Sequence, residues 1–406
     1  MKNLFLTLIL WSFIIISIST TVGCEDCGCG CPDCPTPTPT PNPTPTPNPN
    51  IPCENPEKII NGFRFCPKQV LNGYGNELDI DKTDTKLVIG YIYNNRIYYS
   101  INKSNFLEVP GVNNARRLSL KIYQDEVHFL WSKIDHLDIG YARLRNGSFN
   151  FETFNQDPLR VADRESIVIT ENGTIFLASQ MNNRIIANIG RRDNNNYSWQ
   201  RGIEVDYNTP AEPMWPNFTI DKNNIPHLVY VMPGNCPGNA GQALKHVVSL
   251  SGGNFSSHTC LPGQGSGLYI GEGDIFVDKN NQVHIMGIDW ANDYFRNIRY
   301  ITGKFDGTKI INTSAETILN SELTYDYPYI MLSGLDSGEL GFVYNKESDS
   351  SVYLLLKKNN WLNPVKLSSN SAKYSSIVGK KDFTVIWSDN VQQKIILQTL
   401  ELENDK

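Results

Sequence analysis

The chain has little positive charge, no helical rhythm and no long hydrophobic run. Lys and Arg number 36 against 42 Asp and Glu, for a formal net charge of -6, and no basic run occurs anywhere. A nucleic-acid binder usually carries a basic face or stripe, so nucleic acid is excluded as a partner. No stretch repeats apolar residues at helical spacing, which argues against a helical body. The longest apolar run, Leu4 to Ile18, is too short and too early for a spanning helix.

That run follows one lysine and precedes small residues, as export signals do, so residues 1–23 read as a signal peptide. Thr21-Val22-Gly23-Cys24 resembles a bacterial lipobox, with Thr21 departing from the usual aliphatic residue. The resemblance implies acylation at Cys24 and a lipid-anchored cell-surface or outer-membrane protein. Cleavage after Gly23 and secretion is the alternative, and the lipid would be the sole membrane contact.

Nine cysteines are present, and acylation of Cys24 would leave an even number for disulfides in an oxidising compartment. Cys53 with Cys66 and Cys236 with Cys260 are the pairs drawn. Cys27, Cys29, Cys31 and Cys34 would suit thiolate metal binding elsewhere, but beside a leader and a Pro-rich segment a disulfide cluster is preferred. From Pro35 to Pro52 the chain is Thr-Pro and Asn-Pro repeats, which exclude helix and sheet and favour extended polyproline II. Residues 24–57 are therefore read as a Cys cluster and disordered linker that holds residues 58–406 away from the anchor.

The rest reads as all-β, strand-like runs alternating with Gly, Asn and Asp turns. One unit recurs: Asp221-Lys222-Asn223-Asn224-Ile225-Pro226-His227 returns as Asp278-Lys279-Asn280-Asn281-Gln282-Val283-His284. Asn and Asp suit tight turns because they tolerate left-handed backbone angles. Aligned on the histidine, Val88, His128, Phe176, His227, His284, Gly341 and Thr384 mark one position in each of seven units. Such spacing predicts a seven-bladed β-propeller, with six blades as the alternative count. Three residues on stand Tyr91, Trp131, Ser179, Tyr230, Gly287, Tyr344 and Trp387, mostly rings that would pack one blade on its neighbour. The seventh unit holds only three strands, Lys373 to Gly379, Phe383 to Ser388 and Lys394 to Glu401. An open edge is a liability. Gly62 to Leu71 is expected to supply the missing strand and close the ring.

The unit in which Asp ends one strand and His opens the next resembles repeats of sialidase-like and related bacterial carbohydrate-active β-propellers, over about Lys58 to Glu401. The Asp boxes of true sialidases are absent, and no arginine triad can be placed. The resemblance implies the fold and a leaning toward glycans.

Loops on a rigid scaffold are where sites are built. On this template, the loops entering each inner strand and those between second and third strands share one face. They gather Arg116, Arg160, Arg164, Trp215, Tyr269, Glu272, Asp289, Trp290, Tyr325 and Asp326, with Arg117, Asp163, Glu165, Glu212, Asp274, Asp293, Tyr294 and Tyr327 nearby. Rings stack on sugar faces, while arginines pair with sugar carboxylates. The bland alternative is a solvated rim, with Arg116, Arg117, Arg160 and Arg164 neutralised by Asp163 and Glu165.

His128, His227 and His284 fall in different blades, so structural hydrogen bonding is expected and no metal. Asp79, Asp81, Thr83 and Asp84 look like a calcium loop without its glycine, and a plain hairpin is preferred. No cofactor and no catalytic residue is assigned. The function expected is non-catalytic binding of an extracellular ligand, most simply carbohydrate. A glycoside hydrolase or polysaccharide lyase on acidic or sialylated glycans is the runner-up, and a platform for a surface protein the third reading.

Overall fold

The computed structural model describes Cys53 and residues 55–403, apart from 134–137, 156–161, 182–183, 207–213, 234–241, 251–252, 262–269, 291–295, 324–329 and 370. The leader, Cys24, the cysteine cluster, the Pro/Thr segment and Cys236 lie outside the described residues. Glu347–Asp349 forms a 3-10 turn.

Seven antiparallel sheets form a β-propeller. Their inner strands are Asn76–Lys82, Ser119–Tyr123, Ala162–Ile169, Met214–Ile220, Ile270–Val277, Ile330–Gly334 and Ala372–Gly379, for blades 1 to 7. The second blade continues with Glu126–Ser132, Asp138–Arg145 and Ser148–Asn155, in the order expected of each unit. In blade 7, Lys394–Leu402 pairs with Phe63–Phe65 near its end and with Gln69–Leu71 near its start. Lys58–Ile60 adds a further short strand outside Phe63–Phe65. A Cys53–Cys66 disulfide, Cα to Cα 5.3 Å, ties this segment together. The Cys53 amide donates to Glu401 Oε1 at 3.0 Å. Cys260 is also disulfide-bonded.

Alternation of apolar residues along the strands puts an apolar core at each junction between neighbouring blades. Phe129 and Leu144 pack with Ile97 of blade 1, and Ile395 and Leu397 of blade 7 pack with Ile89 of blade 1. The aromatic column belongs to these cores. Trp131, Tyr230, Tyr344 and Trp387 are nearly or fully buried, each against the preceding blade. Burying one such ring contributes roughly 2–3 kcal/mol.

The inner strands have no strand partner on their channel side, so their backbone groups need another partner. The polar column Asp79, Ser166, Asn217, Asp274 and Ser376 answers this. Asp79 Oδ2 accepts from Leu120 N–H (2.7 Å), Ser166 Oγ from Phe218 N–H (3.0 Å), and Asp274 Oδ2 from Leu332 N–H (2.6 Å). Asn217 donates to Gly273 O (2.7 Å), and Ser376 donates to Asp79 Oδ1 (3.3 Å). Each is a latch onto the next blade. Met331 cannot latch at this level in blade 6, and Ser333 instead accepts from Gly379 N–H at 2.8 Å.

Candidate functional site

Just before the latch column the inner strands lose their regular pairing. Register shifts fall between Asn76 and Asp79, Asp163 and Glu165, Met214 and Asn217, Ile270 and Gly273, and Lys373 and Ser375. The residues inside three of these bulges are left-handed: Glu77 (φ 54°), Trp215 (φ 56°) and Tyr374 (φ 48°). None is glycine or asparagine. Left-handed backbone costs an ordinary L-residue about 1–2 kcal/mol, and bulges re-aim side chains beside functional sites. Arg117 in blade 2 holds the same level, and Arg164 and Glu272 occupy the corresponding bulges of blades 3 and 5. The bulge level is thus set with charge and rings.

Glu77, Arg117, Glu165 and Trp215 line a cavity of about 110 Å³ at the mouth of the ring. Arg117 pairs with Glu77 at 2.7 Å, both side chains being only 17% and 14% exposed. Such an ion pair is desolvated enough to fix both partners. Glu165 Oε1 accepts from the Ser132 amide at 2.8 Å. Burial pushes the Tyr374 hydroxyl above the usual tyrosine range, and the carboxylate of Glu77 adds to this while Arg117 opposes it.

Below the mouth lies a channel cavity of about 280 Å³ to which all seven inner strands contribute. Burial raises Asp79 and Asp274 to about 6, although Lys121 and two backbone amides apiece pull the other way. Lys121 keeps 34% of its side chain exposed to the channel and lies 3.6 Å from Asp81. Burial lowers its pKa, but Asp81, Asp79 and Asp274 together carry it above the ordinary lysine value.

Of the residues read from sequence, Arg116, Arg117, Glu165 and Trp215 are described, and the last three line the mouth. The amide of Arg116 donates to Ser132 O at 2.9 Å. Arg160, Glu212, Tyr269, Asp293, Tyr294, Tyr325, Asp326 and Tyr327 lie outside the described residues, as do the side chains of Asp163, Arg164, Glu272, Asp289 and Trp290. Asp274 sits in the channel as a latch. Sequence reasoning missed Glu77 and Tyr374, because a bulge leaves no fixed residue type and shifts the strand alternation by one. The partner found for Arg117 is Glu77 of the neighbouring blade, a pairing not foreseen.

The histidines hold structure. His128 Nδ1 lies 2.7 Å from Tyr141 Oη, His284 Nδ1 2.6 Å from Tyr300 Oη, and His227 Nδ1 3.0 Å from His246 Nε2. Their Nε2 atoms face Glu126, Asp278 and Asp221 at 3.5, 3.7 and 3.6 Å. Asp79 and Asp81 spend their carboxylates on amides of blade 2, and Thr83 turns the chain with Lys86, so this stretch is a hairpin. Among the described residues one group has three metal-ligating side chains close together, Cys53, Cys66 and Glu401, and its thiols are joined as the disulfide.

No family model and no curated protein matches the chain. Among solved structures, it is similar to an ulvan lyase of a new polysaccharide lyase family, at 12% identity over 82% of this chain and 95% of that one, TM-score 0.52. A Hadza microbial sialidase gives 10% identity over 79% and 74%, also with a TM-score of 0.52. An α-L-arabinofuranosidase of Fusarium graminearum gives 11% over 68% and 89%, TM-score 0.48. The class is therefore a seven-bladed propeller of sialidase-like architecture.

Proposed function

We propose that the protein binds a carbohydrate chain at the bulge-lined mouth, without turning it over. The supporting observation is the set of left-handed bulge residues: Glu77 and Trp215 line the mouth and Tyr374 holds the same position in blade 7, all at the expense of backbone strain. Trp215 contributes a partly buried ring to the wall of the mouth, while Glu77 and Arg117 offer fixed acceptors and donors for hydroxyls. The carboxylates lining the mouth are all engaged among the described residues: Glu77 by Arg117, Asp79 by Leu120 N–H and Glu165 by Ser132 N–H. The ulvan lyase and the sialidase to which the fold is similar support a sugar as the ligand class.

A glycan array read beside a turnover assay tests this. Retention without product supports it, and Trp215→Ala should lower retention by about tenfold or more with folding intact. Wild-type silence on the array overturns it in favour of a protein partner. The second reading is a lyase, favoured by Tyr374 lying near both Glu77 and Arg117; ultraviolet-absorbing unsaturated product would establish it.

Export and anchoring through Cys24 belong to the same proposal, motivated by the leader and the lipobox-like Thr21-Val22-Gly23-Cys24. Palmitate labelling that is lost in Cys24→Ala tests them, and unlabelled wild type overturns the anchor.

A further inference from the structure

We infer that the rim between blades 7 and 1 holds a further sugar unit of the same chain, which makes the ligand a polysaccharide and not a single terminal sugar. This rests on the carbohydrate reading of the mouth. The rim is built around Tyr74, which lies between two buried glycines. A Cβ on Gly75 would meet Ile92 O at 2.3 Å and the Tyr91 ring at 2.4 Å, and one on Gly73 would meet the Phe106 ring at 2.7 Å. Only glycine lets the segment pass this close, so Tyr74 is presented from a fixed backbone. Its hydroxyl donates to Asn390 Oδ1 at 3.0 Å.

The Tyr93 ring stands 6.2 Å from that of Tyr74, at 64°, and Tyr93 is 45% exposed. Tyr93 precedes the two-residue turn Asn94-Asn95, with φ of 48° and 64°, whose amides are exposed. Two angled rings bordered by the amides of Asn94, Asn95 and Asn390 match a pyranose unit, apolar on its faces and hydroxylated around its edge. Neither ring is needed for the blade core, because Tyr91 and Phe106 beneath them already fill it.

The rim is continuous with the mouth. Asn76, which directly precedes Glu77, pairs with Ile92 beside Tyr93, and Ala372, two residues before Tyr374, pairs with Asp389 beside the Asn390 that holds Tyr74. A chain bound at the bulges and leaving over Tyr374 would cross Tyr74 and Tyr93 next.

The experiment is calorimetric titration of the whole chain with uronate oligosaccharides, from disaccharide upward to octasaccharide. Wild-type affinity should rise by about three- to tenfold once the ligand reaches the rim. Tyr93→Ala should flatten that rise and leave disaccharide affinity within about twofold, with Asn390→Ala as the independent second variant. Trp215→Ala should weaken every length alike. Affinity that does not grow with length, or growth that survives both rim variants, overturns the rim and leaves the mouth standing. Absence of binding at any length overturns both.

Discussion

The repeated turns and the inner-strand bulges use the same backbone conformation with opposite choices of residue. At the end away from the mouth, the repeated turns place Asn224 (φ 62°) and Asn281 (φ 60°) in the left-handed region. Asn tolerates it at little cost. Asp221 Oδ1 closes its turn by accepting from the amides of Asn223 and Ile225, as Asp278 does from Asn280 and Gln282. The other carboxylate oxygen faces the buried histidine of the next strand. Turn, carboxylate and imidazole thus form one locked unit. In the three bulges the left-handed positions carry Glu, Trp and Tyr, which gain nothing from that conformation. The repeated turns have residues that suit their backbone; the bulges have a backbone bent to suit its side chains.

Breaking the lock should give the largest effect. His227 is fully buried, with His246 on one nitrogen and Asp221 on the other. His227→Ala leaves both partners buried without it, and should destabilise by about 2–4 kcal/mol in chemical denaturation. Carbohydrate retention at low temperature should be unchanged. A variant as stable as wild type would remove the distinction between the two ends.

Acidity sharpens the comparison further. Burial raises Asp79 and Asp274 to about 6 in the folded chain, above the ordinary value of 3.8. A raised acid favours folding most when protonated, so this contribution is complete below about pH 4 and is lost as pH rises through 6. The histidines run the other way. Burial lowers His128, His246 and His284, so their contribution is present above pH 6.5 and lost as pH falls. Asp79→Asn cannot ionise and keeps one acceptor for the Leu120 amide, while its NH2 group replaces the oxygen that accepts from Ile80 N–H and Ser376 Oγ. Its melting temperature should fall more clearly on acidification than that of wild type. Parallel pH profiles for the two proteins would contradict the latch description.

The sequence revealed the lock end well and the mouth poorly, for a physical reason. A turn that must reverse the chain in few residues favours Asp, Asn and Gly, so Asp221-Lys222-Asn223-Asn224 returns unchanged as Asp278-Lys279-Asn280-Asn281. The aromatic column was readable for a related reason, since every blade junction needs volume at that depth. A bulge imposes geometry and leaves residue type open. Glu77, Arg117, Trp215 and Tyr374 share a level and nothing else. Turn length also varies between the latch and the histidine position, from Asn217 and His227 to Ser376 and Thr384, so counting back from the repeat does not find them. Trp215 was singled out as an aromatic at a loop edge; Glu77, inside what reads as a plain strand, was not.

The smallest effect on stability should be the most telling. Glu77→Asn places at the mouth the residue type the lock end uses. Asn tolerates φ 54° better than Glu and should recover about 0.5–1 kcal/mol. Loss of the desolvated pair with Arg117 works the other way and should cost about 1.5–2 kcal/mol, leaving stability about 1 kcal/mol below wild type. Retention on the glycan array should nevertheless fall about tenfold, because the guanidinium of Arg117 is no longer held in place. At the other end, Asn281→Ala should cost about 1 kcal/mol and leave retention alone. If Glu77→Asn instead destabilises strongly while retention survives, Glu77 is a structural residue like its counterparts at the lock end, and the strain at the mouth serves the fold and not a ligand.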